Sequence, residues 1–175
     1  MADDTDTNLP ITPDAAAQPT SGNGFDMDMA ELPQVSILTQ YVKDLSFENP
    51  NAPQSLQGGE QPRIEINVNV NARKAGDEMF EVELKIGAKA MIGDSAAFVV
   101  ELLYAGLFGL KHVPEEALEP FLIMEAPRLL FPFARRIIAD CTRDGGFPPL
   151  MLEPIDFASL YMAQQQGQGL PQGNA

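Results

Sequence analysis

The chain has 175 residues, 11 basic and 25 acidic, for a net charge of -14; such a surface repels phosphate backbones and anionic lipid and argues against nucleic acid or membrane as partners. Apolar residues make up 45% of it, enough for one domain with a real core. The single cysteine, Cys141, cannot form an internal disulfide. The sequence also shows no basic-then-apolar leader and no apolar run approaching about 18 residues. A reduced, cytoplasmic setting is expected.

Residues 1–33 carry seven acidic side chains (Asp3, Asp4, Asp6, Asp14, Asp26, Asp28, Glu31) and no basic one, the composition of a disordered acidic arm. Residues 164–175, QQQGQGLPQGNA, read as a flexible tail, so the folded domain is expected over 34–163. It opens on a strand, Gln34–Phe47. Tyr41, Lys43, Leu45 and Phe47 alternate there with Val42, Asp44, Ser46 and Glu48. Asp44 and Glu48 thus share a face about 13 Å apart, too far for an acid–base pair but suited to a charged surface.

After the link NPNAPQSLQGGEQP, the segment Arg63–Ala72 alternates Ile64, Ile66, Val68 and Val70 with Arg63, Glu65, Asn67 and Asn69. KAGDE supplies a Gly-Asp hairpin turn. Met79–Ile92 then sets Phe80, Val82, Leu84 and Ile86 against Glu81, Glu83 and Lys85. GDS turns the chain again into Ala96–Leu110, which is apolar on both parities. Successive strands joined by short turns predict a four-stranded antiparallel, meander-like sheet. Helices follow the strands, so the class is α+β.

A short helical piece, Glu115–Met124, precedes the strongest helix signal, PRLLFPFARRIIADCTRDGG. Leu129, Leu130, Phe133, Ala134, Ile137, Ile138 and Cys141 form one apolar stripe, with Pro132 predicting a kink or a start and Gly145 a stop at the C′ position. A last, short helix is expected at DFASLYMA, with Asp156 as its N-cap.

The fourth strand needs cover on both faces, more than these helices supply to a monomer, so the chain is expected to self-associate. Further apolar surface comes from Phe131, Phe133, Phe147 and Leu150, and from Met151, Leu152, Phe157 and Tyr161. These residues either line a groove at the oligomer's edge or complete the core.

The search for chemistry finds none. His112, the only histidine, has no imidazole or thiol near it in sequence, which suits an exposed loop rather than a metal or triad site. Cys141 falls on the apolar stripe. RDGGFPP is a helix stop, not a phosphate cradle. No nucleophile, base and oxyanion donor assemble, so neither an enzyme nor a metal or cofactor site is expected.

Read together, YVKDLSFENPNAP, AFVVELLYAGLF, RLLFPFARRII and GGFPPLMLEPIDFASLY resemble the SecB family, the export chaperones of the Gram-negative cytosol. The likeness runs from about Val35 to Ala163 in order and spacing; the acidic arm is longer than is usual there. The resemblance implies a homotetramer, a dimer of dimers, each protomer a four-stranded antiparallel sheet with one long and one short helix. It implies an ATP-independent chaperone that holds unfolded precursor proteins and passes them to the SecA motor. It assigns contact with SecA's zinc-containing C-terminal tail to Asp44, Glu48, Val99 and Glu101. Val100, Leu102 and Tyr104 match positions tied to tetramer assembly. The rival reading is an acidic oligomeric adaptor for one folded basic partner. An adaptor would not slow the aggregation of unrelated denatured proteins, whereas a holdase must.

Overall fold

The computed structural model describes residues 32–167; the expected acidic arm up to residue 31 and the tail beyond Gly167 lie outside them. Four long strands come first: β1 (Gln34–Glu48), β2 (Arg63–Gly76), β3 (Met79–Ile92) and β4 (Ser95–Lys111). They are followed by α1 (Glu115–Pro120), a π-helical turn (Phe121–Glu125), α2 (Ala126–Asp144) and α3 (Phe157–Gly167). The class is the expected α+β, with one long and one short helix beside an antiparallel sheet.

The strand order is β1-β4-β3-β2, which corrects the meander. Only β2, β3 and β4 follow one another through tight turns. β1 does not pair with β2; the chain crosses over through residues 49–62 and β1 lies along the free edge of β4, a Greek key. The physical reason lies in β4: flanked on both edges, the most apolar strand takes the centre, and the polar alternation of β2 is left outermost. Both hairpin loops have two residues. Asp77 and Glu78 (φ 55°) turn β2 into β3, with Gly76 still in the strand; Gly93 (φ 57°) and Asp94 turn β3 into β4. The first turn is therefore Asp-Glu rather than Gly-Asp.

One face of the sheet is covered. Val82, Leu84 and Ile86 of β3 and Val100, Leu102 and Phe108 of β4 are fully buried there against Leu130, Ala134 and Ile138 of α2. Each such side chain contributes roughly 1.5–3 kcal/mol by leaving water. The helix approaches β4 closely because position 106 is glycine: a Cβ there would sit 2.7 Å from Leu130 Cδ2. Pro132 neither starts nor ends α2, which runs through it, anchored by buried neighbours on both sides. Of the expected stripe, Leu129 and Phe133 instead face outward, 41% and 45% exposed.

The helix also ends differently from its sequence signal. The N–H of Phe147 donates to the carbonyl of Thr142 (3.1 Å) and that of Gly146 to Arg143 (3.0 Å), a Schellman pattern whose left-handed residue is Gly146 (φ 90°), not Gly145. Gly145 answers to packing instead, because the Phe47 ring occupies the space of its missing Cβ. Asp156 caps α3 as expected: the Ser159 N–H (3.1 Å) and hydroxyl (2.7 Å) donate to its carboxylate and hold its pKa below the ordinary value. α3 continues past the expected end at Ala163 to Gly167.

On the other, open face, β1 changes phase. Bulges fall between Ile37 and Thr39 and between Val42 and Asp44. Val42, Leu45 and Phe47 oppose Tyr104, Leu102 and Val100 on the helix side, while Asp44, Ser46 and Glu48 oppose Leu103, Glu101 and Val99 on the open side. The alternation of this strand is therefore not continuous, because a bulge inserts one extra residue. Lys43, at the bulge, reaches across β4 to both oxygens of Glu81 (3.1 Å each) and to Glu83. Tyr41 and Arg73 also donate to Glu81, which is only 4% exposed.

The Tyr41 hydrogen bond, followed by those from Arg73 and Lys43, outweighs burial and lowers the Glu81 pKa from 4.5 to about 2. A carboxyl depressed on folding stabilises the protein fully above its unfolded pKa and loses that contribution as pH falls through the folded one. Urea denaturation should therefore show stability declining between pH 4.5 and about 2. Glu81→Gln should flatten that decline and lower stability at neutral pH.

Candidate functional site

Two surfaces are candidates for function, and both depend on where β1 lies. The first is an apolar cavity of about 340 Å³ at one end of the covered side. Leu56 of the crossover, Ile64, Ile92, Phe98, Phe147 and Leu150 line it. An aromatic series builds its floor: Phe47 stacks on Phe98 (centroids 5.9 Å apart), which meets Phe147 at 4.9 Å. Its outer wall is the proline-rich segment after α2. Thr142, fully buried, pins that wall: its hydroxyl lies 3.0 Å from the carbonyls of Ile138 and Ala139 and accepts the Leu150 N–H at 2.8 Å.

The residues expected to line a groove do not form one surface. Phe147 and Leu150 line the cavity. Phe131, Leu152 and Phe157 are buried, Phe131 packing edge-on to Phe157 at 6.2 Å to seat α3. Phe133 lies on the outer side of α2 and stacks on Tyr104 at 6.5 Å. Tyr161 donates to Glu119 at 3.0 Å, tying α3 to α1, and Met151 is exposed. Sequence reasoning did not place Leu56, Ile64, Ile92 or Phe98 in the groove, nor Thr142 behind its wall. The one legible signal was a single leucine in the otherwise polar crossover.

The second surface is the acidic corner of the open face. Glu48 opposes Val99, and Ser46 opposes Glu101, with Asp44 further along the same strand. The four residues expected to act together are thus brought together on two paired strands. Asp44 and Glu48 are exposed and have no ion-pair partner among the described residues, while Glu101 has only Lys85, at 3.7 Å. Low cost of desolvation and uncompensated charge suit such carboxylates to a basic partner.

Val100 and Leu102 are fully covered; of the three positions tied to assembly, Leu102 opposes the exposed Leu45 on β1, and Tyr104 opposes the exposed Val42 and stacks on the exposed Phe133. Exposed apolar groups are concentrated along β1, an edge strand, where Val35, Ile37, Leu38, Val42 and Leu45 are each at least 40% exposed. His112 (φ 53°) is exposed at the end of β4, and Cys141 is half-buried on α2, where burial raises its thiol pKa. Among the described residues no group of histidine, cysteine and carboxylate side chains is arranged to hold a metal ion, and no helix is long and apolar enough to cross a membrane.

Residues 28–168 match the family model described as preprotein translocase subunit SecB. The chain is 56% identical over 158 residues to a protein-export protein SecB of Rhizorhabdus wittichii, covering 90% of this chain and 93% of that one. A SecB of Parvibaculum lavamentivorans is 59% identical over 147 residues (83% and 87% covered). A third, from Sphingopyxis alaskensis, is 48% identical, and its match takes in all of both chains, the acidic N-terminal stretch included. Among solved structures, a SecB-like chaperone of Mycobacterium tuberculosis in complex with an antitoxin peptide superposes with a TM-score of 0.58 at 19% identity, over 69% of this chain and 90% of that one, and so shares the fold.

Thr142→Val keeps the side-chain volume but removes the acceptor of the Leu150 N–H. Stability in urea should fall by about 1–3 kcal/mol, and the Leu150 amide should exchange with solvent faster than in the wild type.

Proposed function

The chain belongs to the SecB family of protein-export chaperones, and we propose that it holds unfolded precursors in the Phe98–Phe147–Leu150 cavity and hands them to SecA at the acidic corner. The observation that carries this reading is an open cavity whose lining is mostly apolar, with Ser55 and Glu60 its only polar side chains among the described residues. An unfolded client exposes apolar side chains that such a cavity accepts without reading sequence, and bare backbone that polar rims and strand edges can bind. The site needs no nucleotide, so release is left to a competing partner. That partner is the zinc-containing, basic C-terminal tail of SecA, and the unpaired carboxylates of Asp44 and Glu48 beside Val99 and Glu101 supply the charge that draws it.

Assembly follows from the surface left uncovered. β1 offers an unpaired edge and a row of apolar side chains, and Leu129 and Phe133 extend that row onto α2. A second copy at this edge satisfies the strand, and pairing of the dimers over the outer face of α2 gives a homotetramer. Val100 and Leu102 then act by shaping the covered face rather than by touching another copy, and Tyr104 acts through Phe133. Four cavities on one particle turn individually weak client contacts into avid capture. The work is done in the cytoplasm.

Leu150→Asp should fold, because the side chain is only half-buried, yet should need several-fold more protein to suppress aggregation of a denatured client. Suppression at the wild-type dose would remove the cavity from the mechanism, and no suppression by the wild type itself would leave a plain acidic adaptor. Asp44→Lys or Glu101→Lys should weaken the SecA tail about tenfold or more by calorimetry, with oligomer mass and client holding unchanged.

A further inference from the structure

Gly87 lies in the middle of β3, and nothing within the protomer calls for a glycine there. Among the described residues, Gly58, Gly59, Gly93 and Gly146 have positive φ, and Gly76, Gly106, Gly109 and Gly145 have neighbours pressed against the site of the missing Cβ. Gly87 has neither: its backbone is ordinary, and a Cβ would meet no heavy atom within 4 Å. A glycine inside a strand weakens it, and such a residue commonly marks a place where another chain comes close.

The space over Gly87 is on the open face. Ser46, Glu101, Gly87 and Asn67 form one register row running across all four strands. Two shallow depressions, of about 370 and 280 Å³, meet there and share Asn67, Gly87 and Glu101. Their walls mix donors and acceptors: the carboxamides of Asn67 and Asn69, the carboxylate of Glu101 and the ammonium of Lys85. A peptide main chain, which presents N–H and C=O groups together, matches such a lining better than a lone ion does. Val99 and Glu101 line the depression as well as the acidic corner, so the two are one surface.

We propose that the basic segment drawn to Asp44, Glu48 and Glu101 continues across β3 in extended form, its main chain lying over Gly87 and hydrogen-bonded by Asn67 and Asn69. This rests on the acidic-corner reading above and adds the second half of the docking surface. The test is titration calorimetry with a zinc-loaded SecA C-terminal tail peptide. Gly87→Val places a β-branched side chain in empty space, so it should melt no lower than the wild type and hold clients equally well, yet bind the peptide about tenfold more weakly. Asn67→Leu alters the same depression from another strand and should also weaken binding. If both variants bind as tightly as the wild type while Asp44→Lys does not, the crossing over Gly87 is overturned and the corner stands. If Asp44→Lys also binds normally, the corner reading falls with it.

Discussion

The cluster that joins Tyr41, Lys43 and Arg73 to the buried Glu81 fixes the phase of the edge strand. Side chains on a strand alternate, so a slip of one residue exchanges its faces. By tying Lys43 to β3 across β4, the cluster holds the bulge between Val42 and Asp44 in place. Beyond the bulge, Leu45 and Phe47 turn toward the helix and Asp44, Ser46 and Glu48 turn away. Phe47 can then stack on Phe98 and fill the hollow at Gly145, while the carboxylates collect beside Glu101. Both candidate surfaces are thus consequences of one ionic anchor. A partly buried carboxylate with three donors is costly to desolvate, and its value here is in specifying an arrangement.

β4 divides the labour. Consecutive residues point to opposite sides, so Phe98 and Val100 serve the covered face while Val99 and Glu101 serve the open one. The apolar cavity and the acidic corner therefore lie back to back across a single layer of sheet. Bulk on one face need not exclude bulk on the other, which fits the proposal that client and receiver use opposite faces.

Local pattern was legible in the sequence where it determines local structure. The alternation of Met79–Ile92, the Gly93–Asp94 turn and the Asp156 cap all appear as read. Nonlocal choices were not legible. β1 pairs with a strand that comes after two others, and no periodicity within β1 records its partner. The bulge between Val42 and Asp44 is held through Lys43 by Glu81 and Glu83, far away in sequence, and the outward turn of Phe133 depends on how α2 settles over Gly106. The four positions that the family resemblance assigned to the SecA contact, Asp44, Glu48, Val99 and Glu101, stay close in the final register. Of the residues expected in a groove only Phe147 and Leu150 line the cavity, because aromatic composition does not distinguish a wall such as Phe147 from a core residue such as Phe157. Leu56 was hidden by its polar surroundings.

The cavity draws its sides from opposite ends of the domain: Leu56 comes before three of the four strands, and Phe147 and Leu150 come after the long helix. During translation the early side therefore waits, without its counterpart, until the ribosome has passed Leu150. A half-made copy has no closed cavity, and the apolar hollow forms only once both sides have been synthesised.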